Sequence, residues 1–363
     1  MDILVGMSGG VDSAVCAALL KSQGHHVVGV SMTRWREGNG LVGGHNGACY
    51  GPDEPQQMAA AAAICQRLGI EYRRFDCSRQ FEAWIVDYFR QEYLAARTPN
   101  PCIKCNAEVK FALLPQMARE AGVRFDRFAT GHYARIRRAA AGEGGRWQLL
   151  RAADQTKDQS YFLCRLTQEQ LSRQLFPLGE SSKAETRELA RRFELPVSEK
   201  PDSQDFYSGE TAELLAQEPR RGEIVDDASG KLLGYHDGYW KYTIGQRRGL
   251  GVASTRPLYV AAIEPEHNRV RLGGLETVQH HFLQADDFNW VSVLPPTEPL
   301  LCQVKVRSVQ KPVPAVLVPP SQGGETMWSA EFPDGIYAVT PGQTAVFYDG
   351  DLLLGGGVIR HAW

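Results

Sequence analysis

Residues 3–13 read Ile-Leu-Val-Gly-Met-Ser-Gly-Gly-Val-Asp-Ser, and no other stretch narrows the choice of fold as much. Ile3, Leu4 and Val5 are apolar and partly β-branched, which suits a buried parallel strand. Gly6, Ser8, Gly9 and Gly10 follow. From Val11 the apolar positions recur at helical spacing, at Val15, Ala18 and Leu19. The order is strand, glycine turn, helix. Glycines let the backbone approach an anion closely, and the free N–H groups of a helix start point at it. Ser8 and Ser13 add hydroxyl donors. The turn lacks the closing Gly-Lys-[Ser/Thr] of a Walker A loop, and it lacks the Gly-x-Gly-x-x-Gly spacing of a dinucleotide site.

The chain then alternates. Strands are predicted at 26–32, 71–76 and 128–133, and helices at 56–68, 81–96 and 108–120. That alternation predicts a parallel, doubly wound α/β sheet. Between the second strand and its helix lies a long glycine-rich loop, 36–57, which holds Cys49; long loops in compact domains are usually functional or disordered. From about residue 206 the character changes to short strands separated by glycines, at 222–225, 239–244, 259–264 and 269–273. Beyond 280 the strand spacing is that of a small β-barrel or sandwich. Three units are expected: an α/β unit carrying the anion-binding turn, with trailing helices, over 1–205, a small β-rich central unit over 206–279, and a C-terminal β-barrel over 280–363.

At 363 residues with 43% apolar content, two or three cores can be filled. The net charge of −2 means that any RNA site must be a local basic patch. No stretch is long and apolar enough to span a membrane, and none reads as a signal peptide, so a cytoplasmic chain without a membrane partner is expected. There, the 8 cysteines are thiols or metal ligands rather than structural disulfides.

Ser8-Gly9-Gly10-Val11-Asp12-Ser13 resembles the pyrophosphate loop of enzymes that cleave ATP between the α and β phosphates. Further motifs run the length of the chain: Arg97-Thr98-Pro99-Asn100-Pro101, Cys105-Asn106, Ala129-Thr130-Gly131-His132-Tyr133, Lys157-Asp158-Gln159-Ser160-Tyr161-Phe162-Leu163, Phe176-Pro177-Leu178-Gly179, Asp202-Ser203-Gln204, Gly245-Gln246-Arg247-Arg248-Gly249-Leu250-Gly251 and Thr340-Pro341-Gly342-Gln343. Together they are similar to the bacterial tRNA-uridine 2-sulfurtransferases, the 2-thiouridylases of the MnmA family. The resemblance implies a pyrophosphate-loop ATPase domain and a reaction. ATP, with Mg2+, adenylates the C2 oxygen of the wobble uridine, and sulfur replaces the activated oxygen. It implies ATP contacts at Gly6, Met7, Ser8, Gly9, Gly10, Val11, Asp12, Ser13, Met32 and Gly131, with Asp12 among the catalytic residues. It implies contacts to tRNA, in its anticodon region, at Asn100, Pro101, Cys102, Lys157, Asp158, Gln159, Arg307 and Ser308. A sulfur donor protein or inorganic sulfide completes the list of partners.

The chain departs from that family in its sulfur chemistry. Better-known members use two cysteines. One matches Cys105; the other follows Asp-Ser-Gln, at the place where this chain has Tyr207, and tyrosine cannot hold a persulfide. Cys102 stands where those members have an aspartate, giving Cys102-Ile103-Lys104-Cys105. With Cys49, three thiols are available near the nucleotide. One reading is a four-iron four-sulfur cluster on Cys49, Cys102 and Cys105 with one iron open, as in related thiolases. A second is a redox pair, with the persulfide on Cys105 and Cys102 beside it. A third is zinc. Catalytic roles are expected for Cys105 and Cys102 in either of the first two. Two other functions compete with thiolation: another adenylating ligase or amidotransferase on the same loop, and a non-catalytic iron–sulfur protein that binds RNA.

Overall fold

The computed structural model describes residues 1–44, 47–140, 145–197, 206–320 and 326–363. The first sheet is parallel, in the order β3 (Glu71–Asp76), β2 (His26–Thr33), β1 (Asp2–Gly6), β4 (Arg127–Ala129), β7 (Gln174–Leu175). Its centre is β1, where Ile3, Leu4 and Val5 are buried. The helix Val11–Ser22 packs Val15, Cys16 and Ala17 into a core shared with Ala190 of the helix Lys183–Arg192. The strand order reverses beside β1, between β2 and β4. In an open α/β sheet that reversal, at the carboxyl ends of the strands, is where a ligand site forms. The pyrophosphate-like loop leaves β1 at that end.

A second sheet runs β10 (Tyr259–Glu264), β11 (Arg269–Gly273), β8 (Gly222–Asp226), β9 (Leu232–His236), with β8 and β11 parallel. The strand predicted at 239–244 is instead a tight 3-10 turn, Tyr239–Lys241. The turn buries Tyr239 and Trp240 together, and Tyr239 donates its hydroxyl to the Leu94 carbonyl at 2.7 Å. An extended strand would send the two rings to opposite faces.

The third sheet closes on itself. Strands β12 (Gln279–Trp290), β15 (Trp328–Tyr337), β14 (Val313–Val318), β13 (Leu300–Lys305), β16 (Thr344–Asp349) and β17 (Leu352–Ala362) form a barrel, sealed where β12 pairs with β17. The hairpin β5 (Ala134–Arg138) and β6 (Trp147–Arg151), which follows β4 in sequence, pairs not with the first sheet but with β17, through Leu149 and Leu150. The barrel is thereby stitched to the nucleotide-binding part of the chain. Among the described residues no helix is long and apolar enough to cross a membrane.

Candidate active site at the end of the parallel sheet

The loop after β1 is built from backbone and hydroxyls. Gly9 adopts a left-handed φ of +73°, and a Cβ there would lie 2.4 Å from the Gln57 carbonyl, so only glycine fits. Ser13 Oγ donates to the Gly10 carbonyl at 3.1 Å and accepts from the Ser8 N–H at 3.2 Å, folding the turn back on the helix start. Gly10 caps the helix without a side-chain bond, so the first-turn N–H groups remain available to an anion, with the positive end of the helix dipole behind them. Gly131 presses on the same turn; a Cβ there would lie 2.6 Å from the Asp12 carbonyl carbon.

These elements open onto a cavity of about 320 Å³. Of the expected ATP contacts, Gly6, Met7, Ser8, Gly10, Val11, Asp12, Ser13, Met32 and Gly131 line it, while Gly9 packs against Gln57. Lys157, Gln159 and Cys49 line the same cavity. Gln159 is also bound to the wall: its side-chain oxygen accepts from the Tyr133 N–H at 3.0 Å and its own N–H donates to the Tyr133 carbonyl at 2.8 Å. Asp158 faces inward, accepting from the Ser160 hydroxyl and N–H and from the Ala152 N–H, so its carboxylate shapes the loop.

Several charged groups of the site had no signal in the sequence. Lys183 places Nζ 2.7 Å from Asp12 Oδ1, and the Tyr133 hydroxyl donates to the same oxygen at 3.0 Å. Arg34 lines the cavity, and its Nε bonds Glu54 Oε1 at 2.8 Å; Glu54 also accepts from the backbone N–H of Arg34 and Trp35. Lys110 and His132 line the cavity as well. A lone Lys, Arg or His has no pattern that separates a site residue from a surface one. In the sequence, His132 and Lys110 stand out only as members of the motifs Ala129-Thr130-Gly131-His132-Tyr133 and Lys110-Phe111, with no role in ATP chemistry attached.

Of the three thiols, Cys49 lines the cavity, while Cys102 and Cys105 lie behind its wall, within the electrostatic reach of the lining residues Lys110 and Arg34. Asn100 caps the short helix Pro101–Lys104 by accepting from the Ile103 N–H at 3.2 Å, with Pro101 in the first turn. This fixes Cys102 and Cys105 one helical turn apart. The turn 340–343 of the barrel holds the preceding segment. The Thr98 N–H donates to the Pro341 carbonyl at 2.8 Å, and Gln343 Nε2 donates to the carbonyls of Thr98 and Pro99 at 3.0 and 3.2 Å. Burial pushes the Cys105 thiol up to about 11, against the pull of Lys110. Burial, and then the charges of Cys49 and Cys105, push Cys102 up to about 12.

Cys49 sits beside the segment that should have carried the second cysteine. Its Sγ donates to the Phe206 carbonyl at 3.3 Å, and Tyr50 and Tyr207 form a parallel bridge. Tyr207 itself donates its hydroxyl to Glu213 at 2.6 Å. Asp202, Ser203 and Gln204 lie outside the described residues. Among the described residues, no group of three His, Cys, Asp or Glu side chains is placed to hold a metal ion, so Cys49, Cys102 and Cys105 do not form a ready donor set.

Arg307 and Ser308 are in the barrel, away from the cavity lining. The Arg307 guanidinium bridges units, donating to the Ile244 carbonyl at 3.1 Å and to Thr340 Oγ1 at 2.8 Å.

Three family models match in sequence order: the tRNA methyl transferase HUP domain over residues 1–207, the tRNA methyl transferase PRC-barrel domain over 212–274, and the aminomethyltransferase beta-barrel domain over 280–359. The tRNA-specific 2-thiouridylase MnmA of Endomicrobium trichonymphae is 43% identical over 364 residues, covering 99% of each chain. That of Synechococcus sp. (strain JA-2-3B'a(2-13)) is 45% identical over 367 residues, covering 99% of this chain and 94% of the relative. The chain therefore belongs to the tRNA-specific 2-thiouridylase MnmA family.

Proposed function

We propose that the chain catalyses the ATP-dependent 2-thiolation of the wobble uridine of tRNA. The observation that carries this reading is the shared cavity, in which the loop 6–13, Lys157, Gln159 and Cys49 meet. A carbonyl oxygen is a poor leaving group and AMP a good one, so the C2 oxygen is first adenylated. The loop N–H groups and the Ser8 hydroxyl hold the departing pyrophosphate, while the Ser13 hydroxyl, bonded to the Gly10 carbonyl, braces the turn that presents them. Met32 and Gly131 border the nucleoside. Mg2+, which shields triphosphate charge, would be held at Asp12. The target base, flipped out of the anticodon stack, meets Asn100, Pro101 and Cys102. Lys157, Asp158 and Gln159 form the tRNA-facing edge, and Arg307 and Ser308 a more distant contact. The reaction belongs in the cytoplasm, where the tRNA is. The units 1–205, 206–279 and 280–363 divide the labour between chemistry and RNA grip.

Sulfur comes from a donor protein, whose persulfide passes its outer sulfur to Cys105 by thiol exchange; inorganic sulfide, already at the thiol oxidation level, would instead add to C2 directly as hydrosulfide. The three thiols do not form a ready metal site among the described residues, so the sulfur is carried on cysteine. A persulfide on Cys105 adds its terminal sulfur to C2 of the activated base, and AMP leaves. Cys102 thiolate then attacks Cys105 Sγ. The S–S bond breaks, sulfur stays on C2, and a Cys102–Cys105 disulfide remains for an external thiol to reduce.

The test is reconstitution with tRNA, ATP and a persulfide donor, followed by nucleoside mass spectrometry. Wild type is expected to form 2-thiouridine with one AMP per product, and Asp12→Ala and Ser13→Ala to form none. A wild-type chain that makes no 2-thiouridine, or makes it without ATP, overturns the reading.

A further inference from the structure

Adenylating a uridine leaves a proton to account for. When the C2 oxygen bonds to the α-phosphorus, N3 loses its hydrogen; when sulfur adds to C2, N3 must regain one. The site needs a group that takes a proton and returns it. The loop 97–105 contains no Asp or Glu, so it supplies no carboxylate. Within the cavity, Asp12 Oδ1 is held by Lys183 and Tyr133, and Arg34 is held by Glu54. Lys110 and Lys157 are cationic donors with no acceptor.

His132 remains. Its Nδ1 lies 2.7 Å from Thr130 Oγ1, which fixes the ring and leaves Nε2 as the second nitrogen. Phe111 and Phe176 hold the ring, with centroids at 5.5 and 5.9 Å, and the residue lines the cavity next to Gly131. We propose that His132 is the acid–base residue of the reaction. Nε2 takes the N3 proton as the C2 oxygen bonds to the α-phosphorus and pyrophosphate leaves, and it returns that proton to N3 as sulfur adds to C2, before AMP departs. The ring ends in its starting state. This assignment requires Nδ1–H to donate to Thr130. It rests on the reading of the cavity as a uridine-adenylating site.

The surroundings agree with the role. Burial, and then the charge of Lys110, hold the ring's proton affinity well below the usual histidine range, so at pH 7 the ring is neutral with one nitrogen bare, and it is a weak base before substrate binds. Lys110 is the charged group that bears on it; Thr130, Phe111 and Phe176 bring none. The phosphates of ATP would bring negative charge, oppose Lys110 and strengthen the base once the substrate is bound.

The experiment measures tRNA-dependent pyrophosphate release and 2-thiouridine formation by wild type, His132→Gln, His132→Ala and Thr130→Val from pH 5 to 9, with ATP affinity titrated separately. The expected result for His132→Gln is a fall in kcat of about 100-fold or more, with ATP affinity and the KM for tRNA within about threefold of wild type. Added imidazole should restore part of the activity of His132→Ala. Thr130→Val, which frees the ring, should lower kcat by about 10-fold with unchanged ATP affinity. A kcat for His132→Gln within about threefold of wild type overturns the proposal, as does a loss matched by an equal loss of ATP affinity. A wild type that makes no 2-thiouridine refutes the thiolation reading instead, a separate outcome.

Discussion

Lys183 Nζ and Asp12 Oδ1 lie 2.7 Å apart across 171 residues of sequence, one at the start of the helix Lys183–Arg192 and the other in the pyrophosphate-like loop. Lys183 is buried, while the Asp12 side chain keeps 26% of its exposure, toward the cavity it lines. The pair fixes one carboxylate oxygen and leaves the other for the site. Breaking a buried pair leaves an uncompensated charge. Because Asp12 is partly solvated, Lys183→Met is expected to cost about 2 kcal/mol, below the range for fully buried pairs. The urea midpoint should fall accordingly, and tRNA-dependent pyrophosphate release should fall by more than the stability loss explains. Lys183→Met with wild-type turnover would show the pair to be purely structural.

That ion pair also shows what local sequence can and cannot carry. The loop 6–13 was legible because glycine, serine and aspartate at a strand's end have a backbone reason to be there. Strands β2, β3, β10 and β11 were legible because their residues read as strand without help from the rest of the chain. Lys183 was not, because a lysine after a helix cap reads as a solvated residue; its burial depends on Tyr133 and Asp12, distant in sequence. The Tyr239–Lys241 turn was misread as strand because its aromatics fit either form until Leu94 is beside them. The closure of β12 on β17 and the capture of the β5–β6 hairpin by the barrel are long-range pairings that no local pattern encodes.

Gln343 belongs to the barrel, yet its amide holds the carbonyls of Thr98 and Pro99, just ahead of Asn100 and the two cysteines. Gln343→Ala should cost about 1 kcal/mol and loosen the thiol loop without touching the nucleotide site. The expected signature is uncoupling: AMP release near the wild-type rate, with less 2-thiouridine formed per AMP. Equal losses in both would mean that the turn supports the whole site and not the thiol loop alone.

Tyr207 stands where the relay cysteine of better-known relatives would be, and its hydroxyl is spent on Glu213 at 2.6 Å. Glu213 also receives the backbone N–H groups of Val42 and Gly43, so it clamps the loop that carries Cys49. Tyr207→Phe keeps the ring against Tyr50 and loses one hydrogen bond to a carboxylate, a cost of about 2 kcal/mol. Thiolation should stay within about twofold, because the hydroxyl carries no sulfur. Tyr207→Ala removes the ring as well and is expected to raise the alkylation rate of Cys49, read by peptide mass spectrometry. A Tyr207→Phe chain with no thiolation would give the hydroxyl a chemical role.

The resting thiols of the Cys-x-x-Cys should be slow nucleophiles. Burial is the main cause: it pushes Cys105 up to about 11 and Cys102 up to about 12, while Lys110 pulls both back. A raised thiol pKa leaves the neutral form dominant at pH 7, and the thiolate grows about tenfold per pH unit until the pKa is reached. Alkylation of the two residues in the folded chain is therefore expected to climb steadily from pH 7 to 10. Lys110→Met should slow it at every pH, because the cation that favours the thiolate is gone. Peptide mass spectrometry after short iodoacetamide pulses gives both rates. A plateau near pH 8 would mean that the site holds its thiolates already formed, and Lys110→Met would then be the variant that restores the climb.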